Sequence, residues 1–183
     1  VKRMGNNRLF FLNQTLTTFG LTESRTSERL AEFNKAFPQI SLGLQVQFPL
    51  IEVKLYARGA AKDHLTKNLA MAADWVSDKM GAMVISQQGD PIEKVVGQLL
   101  KEKQATAALA ESCTGGLIAD RLTSVSGSSE YFVFSGVTYS NAANVRVLGV
   151  LSDTLDRHGA VHEETAKEMA EGTRHLSGVR AGP

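Results

Sequence analysis

Hydrophobic and polar positions alternate most clearly in the middle of the first half of the chain. Apolar side chains occupy every second position at Ile40, Leu42, Leu44, Val46 and Phe48. A period of two is typical of a strand that buries one face. Pro49 interrupts this run, and a second alternating run extends from Ile51 to Gly59. The two runs together predict a β-hairpin whose turn lies at or near Phe48-Pro49.

The segments around this hairpin complete a βαββαβ order. They are a strand, two helices and a short strand, at residues 9–19, 22–37, 61–79 and 82–86. Thr22 or Ser24 can cap the first helix, and Pro38 ends it. The second helix directs one apolar face inward, with Leu65, Leu69, Ala72, Ala73 and Val76. The order predicts a ferredoxin-like small domain over residues 9–88, preceded at residues 1–8 by a tail or the remnant of an upstream domain.

The pattern changes to alternating helices and strands after Asp90-Pro91, a pair that suits the start of a helix. Helices are predicted near residues 91–103, 117–125, 140–148 and 162–176, and strands at residues 105–110 and 130–139. The first of these helices places Ile92, Val95, Val96, Leu99 and Leu100 inward. This order predicts an α/β domain with a mostly parallel sheet over residues 89–183, so the chain is α/β in class and α+β overall. Two strands make a thin core, and we expect this domain to be incomplete.

The amino-acid composition restricts the possible binding partners more than it restricts the fold. The 183 residues carry a formal net charge of +1, which gives no whole-chain attraction to nucleic acid or to a membrane. No apolar run approaches the roughly 20 residues of a membrane span, and a single cysteine cannot form an internal disulfide. We therefore expect a cytoplasmic protein without a membrane partner. The four histidines have no spacing that completes a metal site, so no metal is expected.

Polar chemistry is concentrated at residues 110–116, Ala-Glu-Ser-Cys-Thr-Gly-Gly, between a predicted strand and a predicted helix. The N–H groups at a helix start favour an anionic ligand or a developing oxyanion, and glycine at Gly115 and Gly116 lets a ligand approach the backbone. Ser112 can be a nucleophile or a helix cap, and the residues alone leave both open. For Cys113, packing in the interior is favoured over a role as nucleophile.

A second polar segment, Tyr139-Ser140-Asn141, follows the next predicted strand. Ligands of open α/β sheets bind beyond the carboxyl ends of the strands. We therefore expect this segment and residues 111–114 to share one edge of the sheet. The alternative is a buried Tyr139 at a strand end, with its hydroxyl group satisfied internally.

Five short motifs in the second half of the chain resemble the C-terminal domain of the competence/damage-inducible protein CinA family. They are Ala110-Glu-Ser-Cys-Thr-Gly-Gly116, Gly127-Ser-Ser129, Val137-Thr-Tyr-Ser-Asn141, Leu148-Gly-Val150 and His158-Gly-Ala-Val161. Their order and spacing match over residues 90–178, and residues 9–86 resemble the KH-type middle domain of longer CinA proteins. The C-terminal domain of the family is similar to the stand-alone nicotinamide-nucleotide amidase.

The resemblance implies hydrolysis of nicotinamide mononucleotide to nicotinic acid mononucleotide and ammonia, a salvage step that needs no cofactor in the amidase-like domain. Ser112 matches the nucleophile and Tyr139 an active-site tyrosine, with Thr114 beside them. Substrate contacts would come from Glu111, Cys113, Gly115, Gly116 and Asn141. A homodimer is also expected. The resemblance does not include the family's first domain, which is molybdopterin-binding-like and associated with ADP-ribose pyrophosphatase activity.

Three positions depart from the family pattern. Asn144 stands where a lysine is expected as general base, and an amide cannot accept a proton near neutral pH. A further apolar strand and Thr-Gly-Ile-Ala-Gly-Pro are reduced to Ala181-Gly182-Pro183, and His162 replaces a frequent capping serine.

These departures support an alternative function, a catalytically impaired nucleotide-binding or regulatory module. Nucleic-acid binding through the KH-like part is the least favoured function. Residues 9–86 contain no Gly-x-x-Gly loop, and the net charge is only +1.

Overall fold

The computed structural model describes residues 9–179, which divide into two units after Ile92. The predicted tail at residues 1–8 and the sequence Ala181-Gly182-Pro183 lie outside the described residues.

The sheet of the first unit is antiparallel and has the strand order β2-β3-β1-β4. Its strands are β1 (Phe10–Phe19), β2 (Ile40–Gln47), β3 (Leu50–Gly59) and β4 (Val84–Ser86). The β2–β3 hairpin turns at Phe48-Pro49, as the alternation predicts. Val53 of β3 lies opposite Leu16 on one side and Leu44 on the other, so the apolar positions of the central strands share one face. The ferredoxin-like topology expected from the sequence is confirmed.

Three helices belong to the first unit, namely α1 (Glu23–Arg29), α2 (Phe33–Ala36) and α3 (Lys62–Met80), and a 3-10 turn at Gly81–Met83 follows. The core between sheet and helices includes the predicted face of α3, with Leu65, Leu69, Ala72, Ala73 and Val76 all buried. The single helix predicted over residues 22–37 is wrong, because the chain breaks between α1 and α2. Two short helices allow the rings of both Phe33 and Phe37 to reach Trp75, at centroid distances of 5.8 and 6.2 Å.

The second unit contains a two-stranded parallel sheet and five helices among its described residues. In chain order they are α4 (Ile92–Glu102), β5 (Ala107–Glu111), α5 (Leu117–Thr123), β6 (Phe132–Val137), α6 (Asn141–Leu148), α7 (Ser152–His158) and α8 (Glu163–Ser177). Helix α7 is not among the elements predicted from the sequence, because its polar residues form no apolar stripe at helical spacing. The predicted alternation of strands and helices is present.

Few apolar side chains are buried in the second unit. Leu148, Val150, Leu155 and Met169 form one small cluster, against which Ala110 packs. The prediction that Val96 and Leu99 point inward is wrong, since they are 37% and 47% exposed. Gly97 is the buried residue of α4 instead, because the Tyr131 ring fills the space above it. A Cβ at Gly97 would lie 2.6 Å from the Tyr131 hydroxyl oxygen.

Candidate functional site

The loop between β5 and α5 carries the polar motif found in the sequence. Gly115 and Gly116 have φ values of +62° and +97°, in the left-handed region that favours glycine. The Gly115 N–H donates to the Ser112 carbonyl oxygen at 3.0 Å and closes the turn. A Cβ at Gly116 would also come within 3.4 Å of Val137. The backbone of this turn therefore requires the glycine pair, independently of any ligand.

The Glu111 carboxylate holds this loop from inside the unit. Glu111 is 2% exposed, and it accepts hydrogen bonds from Thr114 Oγ1 at 2.7 Å, Ile118 N at 3.0 Å and Ala119 N at 2.8 Å. Burial raises the pKa of this carboxyl group, but the hydrogen bonds from Thr114 and from the backbone outweigh burial and hold it below its usual value. Glu111 is thus an ionised cap of α5.

This cap corrects two sequence-based expectations. The N–H groups at the start of α5, which were expected to be open to an anionic ligand, donate to Glu111 at Ile118 and Ala119. The side chains of Glu111 and Thr114 bind each other. We therefore assign Glu111 to positioning of the loop and no longer to substrate contact.

Ser112 lies on the wall of a cavity of about 530 Å³. Among the described residues, the Ser112 hydroxyl group has no hydrogen-bond partner, and the backbone N–H groups of Ser112, Cys113 and Thr114 donate to no acceptor. A hydroxyl group and three unused donors at a cavity wall match the needs of attack on a carbonyl carbon and binding of the resulting oxyanion.

Cys113 is an exposed free thiol that also lines this cavity. The favoured expectation that it packs in the interior is therefore wrong. The turn at residues 112–116 is anchored by the Glu111 carboxylate and by backbone bonds, so the Cys113 side chain is not needed to fill the core. Its position makes it available to contact whatever occupies the cavity.

A second part of the cavity wall is formed by residues 160–163 and the first turns of α8. His162 caps α8, since its Nδ1 accepts the Glu164 N–H at 3.2 Å, and its ring stacks on His158 with centroids 4.4 Å apart. Thr165 Oγ1 donates to the Gly159 carbonyl oxygen at 2.8 Å and fixes the entry to the helix. His162 thus supplies the helix cap at a position where the family often has serine. The His158-Gly-Ala-Val161 motif was the sequence signal for this wall.

The second polar segment lies at the same edge of the sheet, as the topology predicts. The Thr138 N–H donates to the Glu111 carbonyl oxygen at 2.9 Å, which joins the carboxyl ends of β5 and β6. Tyr139 is 76% exposed, so the alternative of a buried strand-end tyrosine is wrong. Neither Tyr139 nor Asn141 lines the Ser112 cavity. Asn141 borders a separate concavity of about 400 Å³ together with Arg146.

Asn144 occupies the buried side of α6, with 1% of its surface exposed. Its Oδ1 atom has no hydrogen-bond partner among the described residues, and it does not line the Ser112 cavity. A buried acceptor without a partner costs about 1–3 kcal/mol. The residue that stands in place of the expected lysine is therefore neither a base nor well accommodated by its surroundings.

No group of three or more His, Cys, Asp or Glu side chains is arranged to hold a metal ion in residues 9–179. None of the helices found there has the length and apolar character needed to cross a membrane.

The second unit is therefore of the α/β class, and the loop between its first strand and the following helix presents a serine side chain to a cavity. Residues 89–182 match the family model for the CinA C-terminal domain. The chain belongs to the CinA family.

Known relatives cover the chain almost completely. It is 49% identical over 178 residues to a CinA-like protein of Desulfosudis oleivorans, and 49% identical over 181 residues to one of Desulforapulum autotrophicum. These alignments cover 97% and 99% of the chain but 43% of each relative, so the chain spans less than half of their length. Among solved structures, the chain is similar to the crystal structure of competence/damage inducible protein CihA from Agrobacterium tumefaciens, with 39% sequence identity and a TM-score of 0.47. The match covers 48% of this chain and 53% of that one.

Proposed function

We propose that the second unit is a nicotinamide-nucleotide amidase that converts nicotinamide mononucleotide to nicotinic acid mononucleotide and ammonia. One observation carries the proposal, namely that Ser112 faces a cavity of about 530 Å³ with an unbonded hydroxyl group and unused N–H donors beside it. Membership of the CinA family is consistent with this function. The substrate itself comes from the resemblance of the sequence motifs to the amidase.

The reaction has two steps. Ser112 Oγ attacks the carboxamide carbon, and the N–H groups of Cys113 and Thr114 bind the oxyanion that forms. The serine proton passes to the departing nitrogen, ammonia leaves, and an ester remains on Ser112. Water then cleaves this ester, releases the nicotinic acid product and restores the serine hydroxyl group.

The remaining predicted site residues receive different roles in this proposal. Glu111 and Thr114 hold the loop, as their mutual hydrogen bond supports. Gly115 and Gly116 set its backbone, and Cys113 contacts the substrate from the cavity wall. Tyr139 and Asn141 lie at the shared sheet edge but outside the cavity lining. Their assignment as an active-site tyrosine and a substrate contact rests on the resemblance alone.

A nucleotide-binding module without turnover is the second candidate, and Asn144 favours it. In the proposed reaction no described side chain hydrogen-bonds to Ser112 Oγ as a base, and the position of the expected lysine holds a neutral amide. Loss of a general base lowers the rate by about 10²- to 10⁴-fold. Binding of the mononucleotide can persist under such a loss.

Ammonia release from nicotinamide mononucleotide separates the two candidates. We expect slow turnover by the chain and none by Ser112→Ala, with equal calorimetric binding of the mononucleotide by the two. Turnover that survives Ser112→Ala would remove the serine mechanism. Binding of the mononucleotide without turnover by the folded chain would establish the second candidate.

We also propose that the protein is a homodimer. Val96 and Leu99 leave an apolar stripe exposed on α4, which a partner surface would cover. Sedimentation equilibrium tests this directly. A monomer mass across the micromolar range would contradict it.

A further inference from the structure

The four-stranded sheet of the first unit has an open face that the proposed amidase function does not use. Residues of β1 and β3 alternate between the buried core side, such as Leu55 at 0% exposed, and this face. Phe11 is 70% exposed and Tyr56 is 45% exposed there. Phe11 pairs with Arg58, and Asn13 pairs with Tyr56 in the neighbouring register position. The four side chains form one continuous patch on the two central strands of the sheet.

The chain covers the other end of this face itself. Thr17 Oγ1 donates to the Asp90 carbonyl oxygen at 3.1 Å, and Thr17 is 2% exposed. A Cβ at Gly89 would lie 2.9 Å from the Cβ of Thr15, so the segment before α4 crosses the sheet there in direct contact. The aromatic patch is therefore the part of the open face that residues 87–90 leave uncovered.

Arg58 gives the patch a positive charge that no described carboxylate neutralises. Its guanidinium group lies 4.8 Å from the centroid of the Phe11 ring, and it forms no ion pair in residues 9–179. The neighbouring cation Lys54 differs, because its ammonium group is 3.0 Å from Glu52. A guanidinium group that stacks on a ring and keeps its N–H donors free is suited to bind phosphate.

Hydrogen-bonding groups surround the rings. A concavity of about 340 Å³ on this face is lined by Phe11, Tyr56 and Arg58, together with Asn13, Gln39 and Ser41. Within the described residues, the side chains of these last three make no hydrogen bond. Their amide and hydroxyl groups remain available for a base edge or a ribose hydroxyl group.

We propose that this face, defined by Phe11, Asn13, Tyr56 and Arg58, binds single-stranded RNA. Exposed rings on the two central strands of a four-stranded βαββαβ sheet are the arrangement on which unpaired bases stack, and an arginine beside them binds the backbone phosphate. The polar groups in the concavity can bond the 2′-hydroxyl group, which DNA lacks. The mode differs from a Gly-x-x-Gly clamp, so the missing loop does not exclude it.

A second copy of the chain fits this face less well than RNA does. The centres of homodimer interfaces are rich in apolar side chains and poor in charge. Here an unneutralised arginine, two amides and a hydroxyl group surround the two rings. Two copies facing each other would also bury an unneutralised Arg58 guanidinium group in each half of the interface. RNA instead supplies the opposite charge together with the stacking partners.

Fluorescence anisotropy of a labelled single-stranded RNA of about 12 nucleotides, titrated with the full chain, tests the proposal. We expect the affinity for RNA to fall as the salt concentration rises from about 50 mM to about 200 mM. The substitutions Phe11→Ala and Tyr56→Ala should each lower the affinity by roughly 5- to 100-fold. Met71→Ala removes a 53% exposed apolar side chain from α3 and is the matched control, with no effect expected. Arg58→Ala should flatten the salt dependence, whereas Lys67→Ala on α3 should not.

Trp75 fluorescence reports the fold of each variant, because this tryptophan packs against Phe33 and Phe37 and not on the open face. Absence of RNA binding by the folded chain would overturn the proposal. Binding that is equal in the chain, Phe11→Ala and Tyr56→Ala would also overturn it, as would tighter binding to single-stranded DNA of the same sequence. A dimer that dissociates on Phe11→Ala would assign the face to a second copy instead. Ammonia release is not part of this test, so its outcome is independent of the amidase proposal.

Discussion

Each of the two units is stabilised internally by a different kind of interaction. The first buries a large apolar core on one face of a four-stranded sheet, and its central strands are almost fully covered there. The second buries only a small apolar cluster and depends on specific polar contacts, notably those of the Glu111 and Glu168 carboxylates. A small core leaves loops and helix ends free to line a cavity, but each polar contact then matters more to the fold.

The residues that stabilise the fold and the residues of the candidate site are separate in the first unit but overlap in the second. In the first unit the exposed aromatic face is supported by a core that does not depend on it. In the second, Glu111 both stabilises the start of α5 and positions the Ser112 loop, so one residue serves fold and site. We therefore expect substitutions on the aromatic face of the first unit to leave its stability unchanged, whereas substitution of Glu111 in the second unit should change stability and activity together.

Leu16→Ala should have the largest effect on stability. Leu16 is fully buried in the first unit, and its truncation leaves a cavity that costs about 2–5 kcal/mol of unfolding free energy. Leu155→Ala, the counterpart in the small cluster of the second unit, should cost less, because Leu155 is 7% exposed and its surroundings can relax. Chemical denaturation measures both changes. Equal losses would contradict the contrast between the two cores.

Gly172→Ala should cause the next largest loss of stability, and the sign of the stability change distinguishes a crowded helix position from an exposed one. At an exposed helix position this substitution stabilises by about 1 kcal/mol. Here the added Cβ would clash with the backbone carbonyl oxygen of Leu148, so α6 and α8 must separate, at a cost of about 1–3 kcal/mol. Hydrogen exchange of α6 and α8 measures the loss, and Glu171→Ala, on the exposed neighbour, is the control. A stabilised Gly172→Ala variant would show that the helices do not cross this closely.

Glu111→Gln should lower stability and activity together. The amide keeps the shape of the side chain but loses its charge and places an N–H group among the donors of the cap, which costs about 1–3 kcal/mol. Since Ser112 follows directly in the chain, ammonia release should fall as well. Glu171→Gln changes an exposed carboxylate and should leave both unchanged. A stable variant with normal turnover would remove Glu111 from loop positioning.

The same substitution predicts a change in acid sensitivity. The pKa of Glu111 in the folded chain lies below its ordinary value of 4.5, so its stabilisation is complete above about pH 4.5 and is lost as the pH falls through the folded pKa. Unfolding free energy of the chain should therefore drop more steeply below pH 4.5 than that of Glu111→Gln. Parallel curves would contradict the direction of the pKa shift.

Glu168→Gln should have the smallest effect of this series. Hydrogen bonds from Thr154 Oγ1 at 2.6 Å and from Leu151 N at 2.8 Å lower the pKa of Glu168 and tie α7 to α8. Losing the charge should raise hydrogen exchange in α7 while the first unit stays unchanged. Exchange in α7 equal to that of the unchanged chain would show that packing of Leu155 alone holds this helix.

The sequence predicted most of the first unit, because period-two and helical patterns are read directly from which positions are apolar. It missed the break between α1 and α2, which depends on the rings of Phe33 and Phe37 reaching Trp75 across 38 or more residues. In the second unit it found the Ser112 loop and the shared edge with Tyr139. The Glu111 cap could not be predicted from the sequence. A carboxylate that accepts hydrogen bonds from its own loop cannot be distinguished in the sequence from one that binds a ligand.

The exposure of Cys113 and the burial of Asn144 were beyond sequence reasoning for a related reason. Both depend on which side of a turn or helix faces the small core, and that core has too few apolar residues to impose a clear pattern. The motif order carried the family assignment where periodicity could not.

The most direct test of the central claim is ammonia release from nicotinamide mononucleotide by the chain, with and without Ser112→Ala. The Ser112 mechanism predicts slow but measurable turnover by the chain that falls at least about 10²-fold when the serine hydroxyl group is removed, with binding of the mononucleotide retained. Equal turnover in the presence and absence of Ser112 would contradict it.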